Sequence, residues 1–143
     1  MSRPTVLFDF DGTLVRGDCA ARQLRALLSQ GPLRRAVALA SVPLAMPLFG
    51  HWRSMQPAVS WFSWLATVGR DEAWLVEARA RFIEACAARR EQLLIQPALE
   101  RLRAHMLAGD TVIVVTGAER GLAQALWSAL DGPPLHFIGS RLR

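Results

Sequence analysis

The sequence has no lysine, no tyrosine and only two cysteines. All 17 basic residues are arginine, so an anion bound by this chain meets guanidinium groups. Without tyrosine, the aromatic-plus-basic patterning of nucleic-acid modules is thin, and no zinc-finger or RNA-binding signature occurs; nucleic acid is not an expected partner. Cys19 and Cys86 lie far apart and form neither a CxxC pair nor a disulfide framework, which fits a reducing, cytoplasmic compartment. The chain runs at once into a strand, so no signal peptide is expected. His51, His105 and His136 have no ligand-like spacing.

What is present describes a folded domain. The chain has 143 residues, 52% of them hydrophobic and 20% charged, which excludes disorder and supports a real core. The formal net charge of +5 suggests an anionic partner such as a phosphate or a lipid head group. The arginines also recur at helical spacing beside alanine and leucine, as solvated helix faces do.

Thr5 to Phe10 reads as a short buried strand. Asp18 can cap a helix from Cys19 to Leu28, which Gly31-Pro32 ends. "RRAVALASVPLAMPLFG", residues 34–50, is apolar, but it is shorter than the roughly 20 residues of a membrane span and holds Pro43 and Pro47. Packing into a core is the expectation. Interfacial contact is the alternative, because Arg34, Arg35, Trp52 and Arg53 flank the run. A helix over residues 57–68 places Trp61 and Trp64 on one face, expected to be core. Asp71 caps a helix reaching about Arg90, with Trp74, Leu75, Ala78, Phe82 and Ile83 in one stripe. A helix from Ala98 to Leu107 ends near Gly109. "TVIVV", residues 111–115, predicts a parallel strand buried on both faces. A helix over 119–130 and a strand over 135–138 follow. This order predicts an α/β protein, a partial Rossmann-like parallel core of residues 1–17 and 97–143, with a helical cap of residues 18–96 inserted after the first strand.

"LFDFDGTL", residues 7–14, carries the chemistry. In parallel α/β sheets ligands bind beyond the carboxyl ends of strands, where Asp9, Asp11, Thr116 and Gly117 fall. Gly12 permits the sharp turn there. Adjacent carboxylates repel, and a cation or a shared proton relieves them. One can accept a phosphoryl group as an aspartyl phosphate, while the other protonates the leaving alcohol and then activates water. Mg²⁺ would offset the charge. Thr116 and the amides of Gly117 and Ala118 could hold phosphate oxygens, helped by the following helix N-terminus.

"DFDGTL" resembles the first motif of the haloacid dehalogenase superfamily of phosphohydrolases, and "VIVVTG" is similar to its second. The resemblance implies that Asp9 is the nucleophile and Asp11 the general acid/base. It makes both Mg²⁺ ligands, with Thr116, Gly117, Gly12 and Thr13 facing the substrate phosphate. "GDCAARQLRALL", "GPLRRAVALASVPLAMPLFG" and "SWFSWLATVGRDEAWL" further resemble phosphatidylglycerophosphatase C-like enzymes. That implies a phospholipid phosphate as substrate, at the inner face of the cell membrane, with a soluble phosphomonoester as the alternative.

The family also has a motif-three Lys and motif-four acidic residues. This sequence has no Lys. Asp110 precedes its strand and Asp131 lies in a "DGPP" turn, so neither replaces the acids; Arg120 could contribute positive charge. A C-terminally truncated enzyme is therefore expected, with weak Mg²⁺ binding. The first strand should be left as an apolar edge prone to self-association. The alternative is an inactive remnant that binds phosphate, membrane or a partner.

Overall fold

The structure, a computed structural model, describes residues 4–50 and 52–140, with the backbone alone at 52–54. The flank expected from Trp52 and Arg53, and His51, thus lie outside the described side chains. The elements are β1 (Thr5–Asp9), α1 (Cys19–Leu28), α2 (Pro32–Ala45), a 3₁₀ turn (Met46–Gly50), α3 (Trp52–Thr67), α4 (Glu72–Ala87), α5 (Arg90–Leu93), α6 (Gln96–Leu107), β2 (Thr111–Glu119), α7 (Arg120–Ala129) and β3 (His136–Ser140). The chain is α/β, with three parallel strands and the helices inserted after the first. It divides into two compact units: residues up to Ala20 together with those from Arg81 onward, and Ala21–Ala80.

In the first unit the strands lie in the order β1-β2-β3, with Phe8 opposite Val114, and Val114 opposite Phe137. Side chains alternate across a strand. One face presents Phe8, Val112, Val114 and Phe137, all buried, and α6 and α7 pack against β2. The other face presents Leu7, Val115 and Ile138 to solvent, with Leu7 64% exposed. Burial of these strands on both faces, expected from the β-branched run, is therefore corrected to burial on one. The reason is topological. Right-handed crossovers that step in one direction along a sheet lay their helices on the same side.

The second unit buries Ala38 and Ala45 of α2 against Ala58, Phe62, Leu65 and Ala66 of α3. Arg34 donates to the Leu65 and Val68 carbonyls, satisfying the C-terminal end of α3. Asp71 caps α4 by accepting the Trp74 amide at 2.8 Å.

Two expectations fail in this unit. Residues 34–50 are not core, because Ala38 and Ala45 are the only buried residues of α2 and none of the 3₁₀ turn is buried. Helix runs unbroken through Pro43 from Pro32 to Gly50, 19 residues, which by length and composition alone could cross a membrane. Trp61 and Trp64 are 42% and 53% exposed and stack on each other at 5.4 Å. The inward positions of α3 are Ala58, Phe62 and Leu65, one i, i+4, i+7 stripe, and the tryptophans flank it.

Candidate active site

β1 ends at Asp9, opposite Val115, and the ladder makes one more bond, from the Phe10 amide to the Val115 carbonyl at 3.0 Å. The chain then closes a tight turn. The Phe10 carbonyl accepts the amides of Leu14 and Val15, and the Gly12 amide donates to the Val15 carbonyl at 2.7 Å. Gly12 has φ +79°, a left-handed conformation that suits glycine. Phe10 and Leu14 are fully buried and anchor the turn from below.

This turn separates the two acids. Asp9 follows the alternation of β1 onto the open sheet face and is exposed. Asp11 turns toward β2. Its Oδ2 accepts the Thr116 hydroxyl at 2.9 Å, and its Oδ1 accepts the Cys19 amide, the first of α1, at 2.8 Å. The structure thus brings Asp11 and Thr116 together, while Asp9 stands beside Val115, one residue short of Thr116. Thr13 is half-buried within the same turn.

Thr116 is the one buried polar residue among those described. Its hydroxyl also accepts the Ala118 amide at 3.1 Å. The backbone therefore loops around the threonine, where the register of β2 against β3 shifts between Val115 and Glu119. Gly117 is exposed at this irregularity, and space is open where a side chain would stand. Gly139 of β3 supports Thr116, since a Cβ there would lie 2.8 Å from Thr116 Cγ2.

The N-terminus of α7 is already occupied. Glu119 accepts the amides of Gly121 and Leu122 at 2.6 and 2.8 Å, which corrects the expectation that this helix end is open to phosphate. The Ala118 amide is likewise taken by Thr116. Cys19, buried under the Asp11 carboxylate, has its thiol pKa pushed far above the ordinary 9.0, first by burial and then by accepting-group and charge effects of Asp11.

Sequence reasoning did not single out Cys19, Glu119 or Gly139. Only the "AERG" pattern, an acid just before a helix, pointed toward the Glu119 cap. Asp110 Oδ2 accepts a hydrogen bond from His105 Nδ1 at 2.8 Å, at the amino end of β2. Asp131 pairs with Arg90. Neither lies among the site residues.

The sheet is parallel, with an Asp-x-Asp turn after its first strand, a buried hydroxyl after its second and helices inserted between them. The chain belongs to the haloacid dehalogenase-like hydrolase family, which it matches over residues 6–143. No curated protein matches it. It is similar in fold to the crystal structure of a protein of unknown function from Bordetella pertussis Tohama I, at a TM-score of 0.68 and 19% identity. The match covers 98% of this chain and 61% of that one, so this chain spans less than two thirds of the solved protein.

Proposed function

We propose that the chain carries the nucleophile and acid/base of a phosphomonoester hydrolase. Asp9, exposed at the strand end, attacks phosphorus, and the bond from phosphorus to the leaving oxygen breaks. Asp11 gives that oxygen a proton. Water then attacks the aspartyl phosphate, Asp11 takes its proton, and the bond to Asp9 breaks to release phosphate. The observation that carries this reading is the Thr116–Asp11 hydrogen bond. A hydroxyl both donates and accepts, so it can stay with Asp11 in either protonation state by reversing its hydrogen. Space is open beside the backbone at Gly117 and at Gly12, where phosphate oxygens would approach.

Enzymes of this family typically use Mg²⁺. Among the described residues no group of three or more His, Cys, Asp or Glu side chains could hold a metal. Both Asp11 side-chain oxygens already accept hydrogen bonds. The residues fit Mg²⁺ as part of its shell only: the Asp9 carboxylate and the Asp11 main-chain carbonyl, with phosphate and water completing it. When bound, the ion offsets charge on the phosphate and on the acids.

A phospholipid phosphate at the cytoplasmic membrane face is the favoured substrate, supported by the exposed apolar surface of α2. The test is phosphate release, with Mg²⁺, from phosphatidylglycerophosphate in mixed micelles and from a soluble phosphomonoester. Turnover abolished by Asp9→Asn and by chelation is expected; turnover unchanged by Asp9→Asn would sink the mechanism. A second reading is phosphate binding without turnover, since both side-chain oxygens of Asp11 are already engaged. Phosphate binding by wild type with no release from either substrate would identify it.

A further inference from the structure

We propose that the Ala21–Ala80 unit docks on an anionic lipid surface, with the outward face of α2 lying in the interface. The first ground is the outward face of α2. Leu33, Val37, Ala40 and Leu44 recur at i, i+4, i+7 and i+11, opposite the buried Ala38 and Ala45, and all four are exposed. Leu33 is 76% and Leu44 81% exposed. Leu39 joins them, and the apolar surface continues through Met46 and Phe49. Apart from Arg34, Arg35 and Ser41, every residue of α2 is apolar. A helix apolar on nearly all sides belongs in a core or against lipid, and this one is not in a core.

Charge selects the occupant. From Cys19 to Arg70 there are six arginines and no Asp or Glu, although the whole chain has 12 acidic residues. A merely solvated face mixes both signs. An apolar surface within a stretch free of carboxylates complements anionic head groups.

The unit lies on the bilayer and does not cross it. α2 is held against α3 by the Ala38, Ala45, Phe62, Leu65 cluster and by Arg34 on the Leu65 and Val68 carbonyls. Crossing would carry the exposed Gln56, Ser60 and Ser63 of α3 into hydrocarbon.

The test is flotation of the full chain with vesicles of phosphatidylcholine alone or mixed with phosphatidylglycerol. Recovery with the anionic vesicles, lowered by salt and released by alkaline carbonate, is expected. Leu44→Glu should lower partitioning at least about tenfold, and Leu44→Met should not. The exposure of Leu44 means that Leu44→Glu keeps the wild-type circular dichroism, and it leaves turnover of a soluble phosphomonoester unchanged. Docking and catalysis therefore fail separately. Equal recovery with neutral vesicles, no flotation, or resistance to carbonate would overturn the proposal. So would Leu44→Glu dissolving an oligomer while flotation stays the same, because the face would then fit a second copy.

Discussion

Thr116 is buried and serves two partners at once, Asp11 Oδ2 and the Ala118 amide. Thr116→Val keeps the shape but strands both. A loss of about 1–3 kcal/mol in urea unfolding is expected, as for a buried polar group left without its partner, and phosphatase turnover should fall with it. Thr116→Ser, which keeps the hydroxyl, should retain most of both. Cys19 gives a pH-dependent counterpart. Its thiol pKa is raised in the folded chain, whereas the unfolded thiol ionises near 9.0. Its contribution to stability is complete below that pH. Above it, the unfolded state loses protons first, and stability should decline by about 1.4 kcal/mol per pH unit. Denaturation between neutral pH and pH values above 9.0 checks this against Cys19→Ser, whose slope should be shallower. Native Cys19 should also resist thiol reagents that react with the unfolded chain. The meeting of Asp11 and Thr116 could be anticipated from sequence because both fall where neighbouring strands end. Gly139 could not, because its importance comes from a cross-strand neighbour that exists only after β3 pairs with β2.

At the level of elements, Glu119 sits between a strand and a helix and fixes where one becomes the other. Glu119→Ala should cost about 1 kcal/mol in chemical denaturation by freeing the Gly121 and Leu122 amides. Most elements could be read from periodicity and caps: α1 spans Cys19–Leu28 as expected, and Asp71 caps α4. The errors share one cause. Local pattern tells what a face is made of, not what covers it. "TVIVV" has the side chains of a doubly buried strand, yet α6 and α7 fall on one side. Trp61 and Trp64 have the side chains of a core, yet the narrow stripe of α3 turns them outward. β2 also runs to Glu119 through an irregularity at Gly117, where glycine reads equally as the end of a strand.

Across the described residues, β1 pairs on one side only, and that edge and the open face of Leu7, Val115 and Ile138 leave backbone donors and apolar side chains exposed to association. Concentration-dependent self-association in sedimentation is expected. Leu7→Lys should shift the population toward monomer without loss of helix content; a stable monomer of the wild type at all concentrations would refute this. The order of the sheet also has a temporal consequence. Asp11 and Thr116 are separated by 105 positions. Closing a loop of that size costs about 4 kcal/mol in chain entropy before its contacts form. A ribosome releases the two acids long before it releases their hydroxyl partner. A nascent chain therefore carries Asp9 and Asp11 early, but Asp11 gains its Thr116 hydrogen bond only when β2 docks.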